Sequence, residues 1–126
     1  MIPFPISHEG HRTTIHLPHT VDAHNARALV ETASHLVQRQ VLQLDLDMTE
    51  TRRITASGVG AIVYLYESTR GRDTSLALIN VDVGPRYTLS RMNIDRRLPP
   101  MIARPPHRTR PLLSPLPTGV FAAAPI

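Results

Sequence analysis

The sequence predicts a single α/β domain of short, mostly buried strands and amphipathic helices, followed by a tail that has no core of its own. Three observations predict it. Val41 to Met48 alternates, with Leu42, Leu44, Leu46 and Met48 on one face and Asp45 and Asp47 on the other, which is the period of a strand. Directly after it Val59, Ile62, Val63 and Tyr66 recur at helical spacing, so a helix from about Gly58 to Arg70 turns one side to a core. Beyond Leu98, eight of the chain's twelve prolines are mixed with Arg, Ser and Thr without any amphipathic period. Such a segment buries too little apolar surface to offset its ordering entropy. The expected division is therefore a folded unit over residues 1–100 and a disordered Pro/Arg-rich tail over 101–126, with at most a short strand at Met101 to Ala103.

The elements follow in order. Ile2 to Ile6 is interrupted by Pro3 and Pro5 and fits an edge strand or an extended lead-in segment. Arg12 to Leu17 alternates, with Thr13, Ile15 and Leu17 opposite Thr14 and His16, so it reads as a half-buried strand that Pro18 ends. Asp22 then caps a helix on which Ala26, Leu29, Val30, Ala33, Leu36 and Val37 keep helical spacing. After the strand at Val41 to Met48, a loop from Thr49 made polar by Arg52 and Arg53 leads into the turn Ile54 to Gly60. Ser57 is the expected N-cap of the next helix, its hydroxyl accepting from a free N–H of the first turn. Gly58 and Gly60 are poor helix residues, and their presence predicts that a partner or a neighbouring backbone comes close. Gly71 is the expected C′ residue, and Arg70 suits the negative end of that helix. Leu76, Leu78 and Ile79 make a short buried strand, and Asp82 to Met92 a weaker helix with Gly84 and Pro85 in its first turn.

The turn is the expected working surface. Thr55-Ala56-Ser57-Gly58-Val59-Gly60, set between a strand and an apolar helix, resembles the Asp-Ser-Ser-Gly-Leu-Gly signature of STAS domains, the fold of bacterial anti-sigma-factor antagonists. Thr20-Val21-Asp22 resembles the Gly-x-Leu-Asp that opens the family's first helix, and Leu76 to Asn80 its fourth strand. Arg86 to Leu98, ending Asn93-Ile94-Asp95-Arg96-Arg97-Leu98, resembles the family's next helix and its Gly-Leu-Asp-Arg-Val-Leu exit, so the likeness runs from residue 10 to 100.

The resemblance implies a STAS-like small mixed β-sheet with helices packed on it, and a function in binding. It implies docking on an ATPase-fold anti-sigma factor that is also a serine kinase, through Thr55, Ala56, Ser57, Gly58, Val59 and Gly60 and the helix start at Asp22, so that a sigma factor is released. It implies no catalytic residue and no cofactor. A second role that it implies is that of a STAS subunit in an ABC-type lipid transport complex, where the Asp-Ser-Ser pattern is also missing. One departure stands out: the serine that partner kinases phosphorylate is Ala56 here, so Ser57 and Thr55 are the candidate phosphoacceptors. A final helix, which such domains usually pack on the sheet, has no counterpart after Leu98.

Composition narrows the remaining classes. The chain has 126 residues, 41% hydrophobic and only 4% aromatic, enough for one aliphatic core. The absence of Cys removes disulfides, thiolate zinc sites and cysteine nucleophiles, and fits the cytoplasm. No apolar run approaches the ~20 residues that span a bilayer, and Met1 to Gly10 lacks the pattern of a signal peptide, so a soluble cytoplasmic protein is expected. All fourteen basic residues are Arg; up to Asp95 nine of them face ten acids, and the other five lie beyond it. A near-neutral body with a basic tail does not indicate a nucleic-acid binder, and the tail has only Phe121 to stack on a base.

Six of the seven histidines fall within the first 35 residues. His16-x-x-His19 invites a zinc reading, but Pro18 lies between the two and Asp22 and Glu9 are explained as cap and surface, so no metal site is expected and the histidines should face solvent. Asp45 and Asp47 share a strand face, as paired acid–base carboxylates would. No phosphate loop or Ser/His/Asp set at a hydrolase family's spacing accompanies them, and no enzymatic role is expected. A homodimer is left open by the sequence.

Overall fold

A computed structural model describes residues 4–92 and 95–103 of the chain. In chain order the elements are β1 (Ile6–Glu9), β2 (Arg12–His16), β3 (Thr20–Val21), α1 (Ala23–Gln38), β4 (Gln43–Asp47), β5 (Arg53–Ile54), α2 (Ala56–Ser68), β6 (Ser75–Val81), α3 (Val83–Arg91), a 3-10 turn at Asp95–Arg97 and β7 (Met101–Ala103). Five strands form one sheet in the order β1-β2-β4-β6-β7, and β3 pairs with β5 alone. Only β1 runs antiparallel to its neighbour, so the sheet is mixed.

The hairpin β1–β2 closes through Gly10 and His11, with Glu9 opposite Arg12 and Gly10 at φ 60°, a backbone that glycine adopts without strain. The ladder starts at Ile6, later than the expected Ile2 to Ile6, because Pro5 has no N–H to donate; residues 1–3 of that expectation lie outside the described residues.

From β2 onward each step adds one strand on the same side, through a helix, and right-handed crossovers then place α1, α2 and α3 on one face. The core agrees. Ile15, Leu44, Leu46, Leu76 and Leu78 point from the strands into one cluster with Leu29, Ala33 and Val37 of α1, Val59, Ile62 and Leu65 of α2 and Leu89 of α3. Fully burying one such aliphatic side chain stabilises by about 1.5–3 kcal/mol. That burial holds α2 in place, since Gly58 and Gly60 weaken its intrinsic helicity.

Several boundaries differ from expectation. Leu42 precedes the strand and is half exposed, and Ile79 points to the sheet face opposite Leu78, as a period of two requires. Helix α2 begins at Ala56 and ends at Ser68; its C-cap is Thr69, and Gly71 follows two residues later at φ 75°. Asp82 caps α3, with Gly84 and Pro85 in its first turn as expected. The short strand at Met101 to Ala103 pairs in parallel with β6 at the edge of the sheet, while the expectations for Asn93-Ile94 and for everything after Ala103 fall outside the described residues.

Candidate partner-docking site

The small ladder β3–β5 builds the site. Thr20 lies opposite Arg53 and Val21 opposite Ile54, Arg52 N and Arg53 N donate to His19 O at 2.8 and 3.1 Å, and Thr55 N donates to Val21 O at 2.9 Å. The fully buried Thr51 adds a bond from its hydroxyl to Pro18 O at 2.8 Å. The segment leading into α2 is thus zipped to the segment leading into α1. Asp22 and Thr55, distant in sequence, become neighbouring helix caps.

Asp22 caps α1 as expected: its Oδ1 accepts from His24 N at 2.9 Å, while Asn25 Oδ1 accepts from Asp22 N at 2.9 Å. The expectation for α2 is corrected. Thr55, in extended backbone at φ −92° and ψ 174°, is its N-cap, with Oγ1 accepting from Gly58 N at 3.4 Å. Ser57 therefore sits inside the first turn, exposed. The bond from Thr55 N to the Val21 carbonyl fixes the extended conformation that a cap requires, one residue before the helix starts.

The two glycines separate. A Cβ on Gly58 would lie 2.6 Å from Val21 O and 2.9 Å from both Ile54 Cγ1 and Val21 Cγ1, so α2 touches β3 and β5 only because that residue has no side chain. A Cβ on Gly60 would meet nothing within 4 Å. Gly60 is exposed, and with Ala56 and Tyr64 it forms an outer stripe on α2. Along it runs an open cleft of about 560 Å³, closed on the other side by Met92 and Arg97. Val59 is buried beneath this surface.

Among the described residues the turn is electrostatically positive. The first turn of α2 contains no acid, and the N–H groups of Ala56 and Ser57 have no acceptor among the described residues. The exposed Arg53 stands beside it. Such an end attracts negative charge.

Asp47, at the end of β4, has the structural role that its match to the aspartate late in this STAS strand implies, and the partners it fastens are ones that the sequence did not reveal. Its Oδ1 accepts from Thr49 N at 3.1 Å, Thr49 Oγ1 at 2.6 Å and Asn80 Nδ2 at 2.9 Å. Its Oδ2 accepts from His16 Nδ1 at 2.8 Å, and Ser7 Oγ lies 2.8 Å from His16 Nε2. Burial alone would raise the pKa, but the donors Thr49, Asn80 and His16 outweigh it and hold the carboxyl below the ordinary aspartate value. Asn80 delivers its amide from a left-handed backbone at φ 57°, in the stretch where the β6–β7 register is irregular. One carboxylate thereby ties β2, β4 and β6 at the ends from which α1, α2 and α3 depart. The order Ser7–His16–Asp47 matches a hydrolase relay, yet Ser7 is exposed on an outer strand, and the chain of bonds closes strand ends. His16 is thus partly engaged, not simply solvent-facing. Asp45, by contrast, is 1% exposed under Arg12 at 3.2 Å and Gln43 at 2.7 Å.

A model of the STAS domain matches residues 5–105. The chain belongs to the STAS domain family. Among solved structures its STAS fold is similar to that of a candidate anti-sigma factor antagonist from Thermotoga maritima, at 18% identity and a TM-score of 0.69 over 79% of this chain and 85% of that one. It is also similar to an anti-sigma factor antagonist from Mycobacterium paratuberculosis, at 13% identity and a TM-score of 0.68 over 79% and 83%. A sulfate transporter family protein from Wolinella succinogenes matches at 17% identity and a TM-score of 0.65 over 76% and 80%. No curated protein sequence matches significantly. These likenesses bear out the STAS reading and the mixed α/β fold. No helix among the described residues is long and apolar enough to cross a membrane, and no group of three potential metal-ligating side chains occurs among them.

Proposed function

We propose that this STAS domain is an anti-sigma-factor antagonist that docks on an ATPase-fold anti-sigma kinase, at Thr55 to Gly60 and the Asp22 cap, and so releases a sigma factor. The observation that carries this reading is the pairing of a rigid base with an open outer face. Gly58 locks the turn to β3, while among the described residues Ala56, Ser57 and Gly60 stand exposed beside an open cleft. A surface that is fixed from behind and bare in front suits competition for a partner and needs no bond-making chemistry.

Control would differ from the usual phosphoserine switch. Ala56 cannot accept phosphate; Thr55 is half-buried, with its hydroxyl shared between Val21 O and Gly58 N, whereas Ser57 is exposed. Ser57 is therefore the better acceptor of the two. The second reading is a STAS subunit of an ABC-type lipid transport complex; the same fold occurs in a sulfate transporter family protein, which is compatible with a transport-linked role.

The test mixes the full chain with candidate anti-sigma kinases and ATP, and follows intact mass together with complex formation by size exclusion. A complex without added phosphate is the expected result for wild type. One added phosphate that Ser57→Ala removes would place a switch at Ser57, and Ala56→Ser is expected to gain a phosphate. Failure of every kinase to bind, with capture of a transporter ATPase, would transfer the proposal to the second reading.

A further inference from the structure

Helix α3 has a face that the core does not use. Pro85 and Leu89 are buried, while Val83 and Tyr87, one turn apart, remain 70% and 60% exposed. A turn further on, Arg91 lays its guanidinium 5.5 Å from the Tyr87 ring centroid and donates to the phenol oxygen at 2.8 Å. An aromatic ring held by an arginine is a rigid, part-apolar contact element of the kind that anchors protein interfaces.

Its surroundings state the charge of what covers it. Residues 52–53 and 82–92 contain four arginines and one acid, Asp82. Asp82 is engaged by Arg52 at 3.6 Å, and the exposed Arg53 and Arg86 have no carboxylate among the described residues. The stripe is also continuous with the docking turn. Gly84, in the first turn of α3, lies next to the Arg52 carbonyl, where a Cβ would make ordinary contact at 3.4 Å, and Met92, at the other end of α3, lines the α2 cleft.

We propose that Val83, Tyr87 and Arg91, flanked by Arg53 and Arg86, form a second contact for the partner that docks at the turn, and that they meet an acidic protein surface. Guanidinium groups pair in bidentate fashion with carboxylates and lose less on leaving water than ammonium groups do. The apolar centre distinguishes the stripe from a purely electrostatic nucleic-acid face. The inference rests on the kinase-docking proposal above.

The probe is the anti-sigma kinase that forms a complex with the full chain, with affinity and association rate followed across salt concentrations. Tyr87→Ala is expected to weaken binding about tenfold through faster dissociation. The double variant Arg86→Glu, Arg91→Glu is expected to slow association about tenfold or more and to flatten its salt dependence. Both exchange exposed side chains, and unchanged thermal melts confirm that the fold is intact. If both bind within twofold of wild type while Gly60→Ala weakens the complex, the stripe is refuted and turn docking stands. If no kinase binds wild type, both proposals fall together. Kinase binding that is unchanged, beside salt-sensitive binding of a 20-base-pair duplex that the double variant abolishes, would replace the acidic protein with nucleic acid and overturn the inference.

Discussion

Gly58→Ala and Gly60→Ala make the same chemical change two residues apart in one helix, and opposite outcomes are expected. At Gly58 the new methyl would sit 2.6 Å from a carbonyl oxygen and 2.9 Å from two side-chain carbons, where comfortable contact needs about 3.5 Å or more. Relief requires α2 to move away from β3 and β5 by several tenths of an ångström. The Val21 carbonyl cannot retreat, because it accepts from Thr55 N at 2.9 Å and so fixes the cap. Overpacking of this kind costs about 1–3 kcal/mol, and more where backbone is involved. Alanine returns about 1 kcal/mol of helix propensity at an interior site, and less in a first turn. The net expectation is a loss of about 2 kcal/mol, which lowers Tm by roughly 8–16 °C in a domain of this size.

At Gly60 there is no clash, so propensity alone acts, and Tm should rise by several degrees for about 0.5–1 kcal/mol. The same methyl stands on the face proposed to meet the kinase and is expected to weaken docking. Thermal and urea unfolding followed by far-UV circular dichroism read the first effect, and kinase binding the second. A Gly58→Ala protein as stable as wild type, or a Gly60→Ala protein that is less stable, would refute the division of the motif into a structural and a contact glycine.

Asp47→Ala is expected to cost about 3 kcal/mol, since it strands several charge-assisted donors at once, whereas Asp47→Asn keeps the three bonds on the Oδ1 side and should cost about 1 kcal/mol. Because the folded carboxyl titrates below its unfolded value, its contribution is present above the unfolded pKa and is lost as pH falls through the folded one. The stability gap between wild type and Asp47→Asn should therefore be full at neutral pH and shrink below about pH 4, and a gap that widens in acid would contradict it. Thr55→Val removes the cap with little change of shape and is expected to cost about 1 kcal/mol, while Thr55→Asp, a strong capping residue, should hold or exceed wild-type Tm.

What could be read in the sequence was periodic or local. The alternation at Leu44, Leu46 and Met48 and the stripe Leu29, Ala33 and Val37 identify core faces without knowledge of any partner. Asp22 is legible as a cap because it stands just before a run of apolar residues at helical spacing, whereas the return bond from Asn25 appears only in the structure. The choice between Thr55 and Ser57 was not legible, because both carry a hydroxyl and the decision lies with the Val21 carbonyl, a contact made across the fold. Strands β3 and β5 have two residues each, too few for any period. The link from His16 to Asp47 depends on the parallel register that sets those two residues opposite each other, which neither stretch encodes alone. Gly58 and Gly60 look alike in sequence for the same reason: what separates them is distance to β3.

Ser57→Asp tests whether the turn is fixed by its own fold or by what it meets. The first turn of α2 lacks any acid, its Ala56 and Ser57 N–H groups have no acceptor among the described residues, and the Thr55 cap bond is long at 3.4 Å. A carboxylate at Ser57 enters the positive end of the helix and is expected to stabilise by about 0.3–1 kcal/mol, with a rise in Tm of a few degrees that salt reduces. The same charge stands on the proposed docking face, next to the α3 stripe proposed to meet an acidic surface, and should weaken kinase binding by repulsion. The two readouts must therefore move apart, Tm up and affinity down. A variant that merely damages the turn would lower both. One that raises both would mean that the facing partner surface is positive, and the acidic-partner inference for α3 would fall while docking at the turn survived.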